Sequence, residues 1–279
     1  MSSITKKQIE NFSNYMCDGT DFIYTHFNHI HPEKLVFSKH MHEYYELILF
    51  KDANANFVAE GTLIPLKKND LLITPAGCYH YIELNKNANM YERYNVLIKN
   101  PSLNSILDGK PLAVINIESM PIIKNNFERM DIYIDEYLGK MADDSLLSLL
   151  RSVTNELLIN VGATLSDDRP VQITNPLLCD ILDYISKNVT TIKSIDDIAR
   201  HFYISVNYIH KLFGRHMKIT PKKYLDMKRL FYARQMIQNG EKLSFVAMKC
   251  GYSDYATFYR NFVKFFKYKP SDANELSLN

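Results

Sequence analysis

No apolar run in this chain approaches the ~18–20 uncharged residues that a membrane span requires. The start, Met1 to Glu10, is polar and lacks a signal-peptide core, so a cytoplasmic protein with no membrane partner is expected. Cysteine is sparse. Cys17, Cys78, Cys179 and Cys250 stand far apart and form no CxxC pair, which argues against both a disulfide framework and a zinc finger. Net charge is small, at +2, yet the two ends differ. Residues 1–170 hold 16 Lys and Arg against 22 Asp and Glu, whereas residues 171–279 hold 17 against 9. A basic C-terminal part is suited to a polyanion, although uneven charge also serves solubility alone.

What is present is ordinary globular material: 46% apolar and 23% charged residues exclude a disordered or collagenous chain. Its 279 residues are about twice the ~100–150 of one domain, so two domains are expected. The first hundred residues read as short β-branched or aromatic strands at 22–27, 44–50, 56–59, 71–74, 79–84 and 91–98, separated by turn residues such as Glu60-Gly61 and Pro75-Ala76-Gly77. That pattern predicts a sandwich or small barrel. The period then changes. Ile123, Phe127, Met130, Ile134 and Leu138 fall at helical spacing, as do Leu146, Leu149, Leu150, Val153, Leu157 and Ile159 or Val161. Two amphipathic helices follow from this, with residues 163–174 as a polar linker between a domain at 1–162 and one at 175–279.

Everything from Asn175 onward reads as helix, and it contains a repeat. The segment 194–205 aligns with 242–253 at an offset of 48, matching Ile195/Leu243, Ile198/Val246 and Ala199/Ala247. One extra residue then shifts the offset to 49 and aligns Ile209/Phe258, Lys211/Arg260 and Phe213/Phe262. Each copy reads as helix, turn, helix, with Ser205 and Ser253 as expected N-caps. A helical hairpin that only packs is the bland alternative, and two copies with an exposed cation in each weigh against it. Between the copies, Thr220-Pro221 opens a helix that should run to Asn239 and stop at Gly240. About 19 residues give a rod of roughly 28 Å, able to hold two recognition helices about one DNA turn (~34 Å) apart.

Residues 175–275 resemble the DNA-binding domain of the AraC/XylS family of bacterial transcription regulators. The residues that carry the likeness are Ile195, Ile198-Ala199, Ser205, Ile209, Lys211, Phe213, Thr220-Pro221, Tyr224, Ala233-Arg234, Val246-Ala247, Gly251-Tyr252-Ser253, Phe258, Arg260, Phe262, Phe266 and Pro270. The resemblance implies base-reading positions at Asn207, His210 and Lys211 in the first unit, and at Ala256, Thr257 and Arg260, with Tyr259, in the second. Asn suits adenine, and Lys and Arg suit guanine; either cation could instead hold phosphate. Lys218 and Lys267 stand where the family has glycine, so those turns are expected to differ. Lys242 replaces an N-cap Ser or Thr, and Ala273 replaces a tyrosine, which suggests a looser end.

In the first half, His40-Met41-His42 with Glu46, and Pro75-Ala76-Gly77 with His80, resemble the two cupin motifs, although Lys34 and Asn69 replace their opening glycines and Leu84 the closing asparagine. Three His and one carboxylate suit a first-row divalent metal, but such residues also serve as barrel core and hydrogen-bonding groups, which is the preferred reading, so no cofactor is expected. The cupin-like barrel is expected to hold a small-molecule effector among Tyr24, His26, His40, His42, Tyr44, Glu46 and His80. Leu146, Leu149, Leu150, Val153 and Leu157 would form a homodimer face, or equally pack on the barrel. The combined expectation is an α+β multidomain chain: a cupin-like barrel with two following helices, then an all-α domain of two helix-turn-helix units on a long helix. It would be a non-enzymatic, effector-controlled transcription activator that binds double-stranded DNA and RNA polymerase. A metal-dependent cupin enzyme and a constitutive regulator whose barrel only dimerises are the alternatives.

Overall fold

The computed structural model describes residues 3–9, 12–30, 32, 37–86, 88, 90–107, 109–165 and 175–273. They form two compact units, Met1–Phe57 with Ile64–Gln172, and Ile173–Asn279 with Val58–Leu63. The expected linker at 163–174 begins too early. Helix α3 (Asp143–Thr164) carries Gly162 and Ala163 inside its last turns. A Cβ on Gly162 would stand 3.0 Å from Ile106, so this glycine answers a close packing contact and does not mark a linker. Residues 166–174 lie outside the described residues, as do 274–279 and Lys34.

The described residues between Ser3 and Asn116 contain ten strands. β1 (Ser3–Ile9), β2 (Phe12–Asp18), β3 (Phe22–Ile30), β9 (Met90–Ile98), β4 (Tyr45–Ala53), β7 (Asp70–Thr74) and β10 (Ala113–Asn116) make a seven-stranded sheet in that order. β6 (Thr62–Pro65), β5 (Ala55–Ala59) and β8 (His80–Leu84) make a three-stranded one. β1 and β2 are absent from the sequence reading because the hairpin is mostly polar. Tyr15 and Cys17 of β2 join the core, and Ile4 of β1 packs against it.

The pleat sorts the large sheet into two faces. Leu47 and Leu49 of β4, Tyr94, Val96 and Ile98 of β9, and Leu71 and Ile73 of β7 point toward α2 (Pro121–Tyr137) and α3 and enter one apolar core with them. Ile123, Phe127, Met130 and Ile134 of α2 are buried there, on the stripe the periodicity indicated. So are Leu146, Leu150, Val153 and Leu157 of α3, all at 0–1% exposure. This decides between the two roles left open for that stripe: it is core, and those four side chains are not available to a dimer contact. Ile159 instead lies outward at 54% exposure.

From Pro176 onward the described residues form helices only: α4 (Pro176–Lys187), α5 (Ile195–His201), α6 (Val206–His216), α7 (Pro221–Gln238), α8 (Leu243–Lys249) and α9 (Tyr255–Phe266). The caps explain the boundaries. Asn175, Ser205 and Thr220 accept from the third following backbone N–H, and Ser194 forms a capping box with Asp197. Lys242 caps α8 without a side-chain bond. The expected cap at Ser253 is displaced by one residue: Asp254 opens α9 and accepts from the Thr257 N–H at 2.7 Å. The inserted residue of the second copy is therefore absorbed in the turn, and the true counterpart of Ser205 is Asp254.

Around α7, Phe258 and Phe262 of α9 join Val246, Ala247, Leu230, Ala233 and Ile237 in a second core. Ala273, in a closing 3-10 turn at Pro270–Ala273, is fully buried in that core, so the segment is packed where looseness was expected. The turns at Lys218 and Lys267 do not differ either. Both residues keep left-handed backbones, at φ 55 and 68. A non-glycine residue there is strained by about 1 kcal/mol. Lys267→Gly is accordingly expected to stabilise the protein by about 1 kcal/mol, read as a higher urea midpoint at unchanged slope.

Candidate nucleic-acid interface and effector cavity

The recognition segment of each helical pair is set by an amphipathic pattern with a cap at its start. In α6, Ile209, Leu212 and Phe213 are buried, which turns Asn207, His210 and Lys211 outward. In α9, Phe258 and Phe262 are buried, and Ala256 and Arg260 are exposed, with Thr257 and Tyr259 partly so. The offset of 49 pairs Lys211 with Arg260 and His210 with Tyr259, so both cations occupy the same place on equivalent helices. Thr257 is tied inward: its hydroxyl donates to Asp254 Oδ2 at 2.9 Å and accepts from Arg260 Nη2 at 3.2 Å. Asp254, Thr257 and Arg260 thus form a chain that orients the guanidinium. Tyr208, 44% exposed, is the α6 counterpart of Thr257 at the offset of 49 and was not among the expected base-reading positions.

A second site lies within the first unit, on the sheet face opposite α2 and α3. Glu46 of β4 points into a cavity of about 390 Å³ lined also by His40, His42, His80, Arg93, Asn95 and Leu97. Two backbone bonds between His40 and His80, at 3.1 and 2.9 Å, hold those residues side by side. The Pro75-Ala76-Gly77 turn fixes the other histidine, because the Gly77 N–H donates to the His42 carbonyl at 2.8 Å. Gly77 has φ +73, a conformation that explains the glycine of this motif. Glu46 is 3% exposed and accepts from Asn95 Nδ2 at 2.6 Å; its other oxygen faces His42 Nε2 at 3.1 Å and His80 Nε2 at 3.0 Å. Burial alone would raise the Glu46 carboxyl, but the two histidines hold it well below the usual carboxylate range. Burial lowers His40 to about 4, so its imidazole is neutral.

Family models match both parts of the chain. The AraC-like ligand binding domain matches residues 28–140, and a helix-turn-helix domain matches residues 198–275. The transcriptional regulator LumQ of Photobacterium leiognathi is 26% identical over 240 residues, covering 83% of this chain and 90% of its own. This chain is an AraC-family transcriptional regulator. It joins a ligand-binding domain to a helix-turn-helix DNA-binding domain. The lactose operon transcription activator of Staphylococcus xylosus is 29% identical over 103 residues, 37% of either chain. Among solved structures, ToxT from Vibrio cholerae covers 92% of this chain and 98% of its own, at 12% identity and a TM-score of 0.40.

Three residues expected in the effector pocket of this regulator lie elsewhere. Tyr24 and His26 sit on the helix-covered face of β3, and the pleat accounts for the difference: they share that face with Phe22, and it meets α2. The Tyr24 hydroxyl donates to Asp131 Oδ1 at 2.6 Å. Tyr44 stacks on His42, with ring centroids 6.4 Å apart, but does not line the cavity. Arg93 and Asn95, which do line it, were missed. Their signal is a polar alternation, Arg93-x-Asn95, inside an otherwise aromatic and aliphatic strand.

His26 is bonded on both ring nitrogens to carboxylates, Asp131 Oδ2 at 2.5 Å and Glu92 Oε1 at 3.0 Å. Carboxylate oxygens only accept, so both nitrogens carry protons and the ring is an imidazolium, stacked on Tyr94 and Tyr15. Burial alone would lower His26, but the bonds and charges of Asp131 and Glu92 raise it from 6.5 to about 9. A raised value makes the stabilisation complete below pH 6.5 and progressively lost as pH rises through about 9. Chemical denaturation should therefore show the protein weaker at pH 9.5 than at pH 6, by on the order of 3 kcal/mol, with most of that difference absent in His26→Gln.

Proposed function

We propose that this regulator is a cytoplasmic homodimeric activator that inserts α6 and α9 into major grooves of operator DNA, contacts RNA polymerase once bound, and answers to a small acidic effector held in the cavity of the first unit. The equivalent placement of Lys211 and Arg260 on two capped, outward-facing helices supports the DNA reading. Asn207, His210 and Lys211 would contact one groove, and Ala256, Tyr259 and Arg260 the next, with Thr257 positioning Arg260 and Ala256 limited to the thymine methyl. The printed name of the Staphylococcus xylosus relative supports activation over repression. The half-exposed Ile132 and Ile159 on α2 and α3 support a dimer surface away from the buried stripe.

The class of effector follows from Arg93. Its Nε is buried in the cavity wall without a hydrogen-bond partner, and it makes no ion pair among the described residues. Arg93 is itself half-buried with its guanidinium over the Phe37 and Tyr91 rings, and a carboxylate or phosphate on a small ligand would supply the acceptor that its Nε lacks.

Operator sequences can be obtained by selection from a random duplex pool. On the selected site, Arg260→Ala should weaken binding by about 1–3 kcal/mol and relax preference at one base pair, at unchanged helicity. Unchanged preference in that variant would assign Arg260 to phosphate contact. The effector arm is read by thermal shift against a panel of small carboxylates, phosphates and neutral sugars. At least one acidic compound should stabilise the wild-type protein, and Arg93→Ala should lose that shift; a shift from neutral compounds alone would overturn the acidic class.

A further inference from the structure

The two recognition helices differ in how they hold their cations. At the offset of 49, the places of Asp254, Thr257 and Arg260 in the second copy are taken by Ser205, Tyr208 and Lys211 in the first. We infer that Asp254 is a specificity-determining residue of α9: acting through Thr257, it holds the Arg260 guanidinium toward one guanine of the operator, and its charge disfavours duplex that offers no guanine there. This deepens the DNA reading above and rests on it.

The first argument is the direction of the hydrogen bonds. A carboxylate only accepts, so the Thr257 hydroxyl commits its single proton to Asp254 Oδ2, at 2.9 Å, and turns a lone pair to Arg260 Nη2, at 3.2 Å. Without the carboxylate, that hydroxyl has no fixed orientation and offers the guanidinium no fixed face. One of the N–H groups of Arg260 is thereby engaged sideways, and the rest of the fork is left for a bidentate contact to guanine O6 and N7. Arg260 is the sixth of the 12 residues of α9, within the half of a recognition helix that meets base edges. The first copy has no such chain. Ser205 carries no charge, the Tyr208 hydroxyl stands at the far end of a ring, and Lys211 is a flexible point charge that suits phosphate as well as a base.

The second argument is the charge itself. Serine and asparagine cap helices about as well as aspartate does, and Ser205 and Thr220 cap α6 and α7. Capping α9 therefore calls for an oxygen and not for a carboxylate. Asp254 is exposed, and the bonds from Thr257 hold it below the usual carboxylate range, so it is ionised at neutral pH. On the helix face that meets DNA, that charge opposes the phosphates of every duplex. The opposition is uniform over sequence, whereas an oriented Arg260 gains only at guanine. Together they widen the gap between the right site and the wrong one. The helix dipole also favours a negative charge at the cap, but that acts on folding and is separated in the test.

The third argument is that Asp254 has little capacity left to read a base itself. Its Oδ1 accepts from the Thr257 N–H at 2.7 Å, and its Oδ2 accepts from the Thr257 hydroxyl and from the Ser253 hydroxyl at 3.2 Å. These three donors fill most of the roughly four acceptor places of a carboxylate. A cytosine amino group, otherwise a suitable partner, finds those places taken. Asp254 is a positioning residue, and Arg260 is the reader.

The test uses the full chain and the operator selected as above, with each guanine replaced in turn by 7-deazaguanine, which lacks the N7 acceptor. At one position the replacement should weaken wild-type binding about tenfold, and Arg260→Ala should be indifferent to it. Asp254→Asn, whose amide oxygen still caps α9, should lose most of that sensitivity and bind unrelated duplex at least as tightly as the wild type. Thr257→Val should lose the same sensitivity with the charge kept. Urea midpoints check the folding of each variant. An Asp254→Asn chain that keeps full sensitivity at the guanine read by Arg260 overturns the inference, as does an equal loss on all duplexes, the mark of a cap alone. A preference lost at a cytosine instead makes Asp254 a reader and overturns the positioning role. If the wild type selects an operator in which no guanine depends on Arg260, this inference falls and the DNA reading stands; if it selects no sequence, both fall.

Discussion

The pleat of two neighbouring strands, β4 and β9, is the constraint from which the first unit follows. Successive residues of a strand face opposite sides, so Tyr45, Leu47 and Leu49 belong with Tyr94, Val96 and Ile98 on the helix side, and Glu46 belongs with Arg93, Asn95 and Leu97 on the cavity side. A slip of one residue in that pairing would place Glu46 among the leucines and isoleucines under α2 and α3, at a cost no local rearrangement could offset. The apolar core and the polar cavity are thus two readings of one register. The helices protect the core side, and the cavity side is left free to carry chemistry.

The same logic, with a period of 3.6 in place of 2, shapes the helical unit. Burying Ile209 and Phe213 in one copy, and Phe258 and Phe262 in the other, leaves no choice about which residues face outward. Phe258 of the second copy is larger than its counterpart Ile209, whereas Phe262 matches Phe213. α7 sits between the copies and buries residues on several sides, from Tyr224 and Leu225 to Leu230, Ala233 and Ile237, which is why it shows no single apolar stripe.

Much of this was legible in the sequence, and the exceptions have physical causes. The helical repeat, the caps at Ser205 and Thr220 and the apolar stripes of α2 and α3 follow from spacing alone. The cap of α9 was misplaced because Ser253 and Asp254 are both good caps in adjacent positions, and only the burial of Phe258 and Phe262 chooses between them. Tyr24 and His26 were assigned to the cavity because aromatic residues with polar tips suit a ligand; what decides is which face of β3 meets α2, and that is a property of the whole sheet. His40, His42, Glu46 and His80 were legible as a group because a loop and a glycine turn bring them together locally. Arg93 was not, since its alternation with Asn95 says that the two share a face of β9 but not that this face lines a cavity.

The asymmetry of the two turns is explained by one arginine. At the offset of 48, Gly251 in the second turn corresponds to Tyr203 in the first, and both have left-handed backbones, φ 81 and φ 55. Backbone conformation alone would favour glycine in both places. The difference is Arg229 of α7. Its Nη2 donates to the Ile192 carbonyl at 2.6 Å, ahead of α5, and a Cβ on Gly251 would stand 3.1 Å from the same Nη2. One guanidinium therefore binds the first helix-turn-helix unit through a carbonyl and packs on the turn of the second, where a side chain at position 251 would have to displace it by a few tenths of an ångström. Tyr203 has no such neighbour; it is 95% exposed, so only backbone strain opposes it. The two copies thus differ at a turn where a single side chain of α7 touches both.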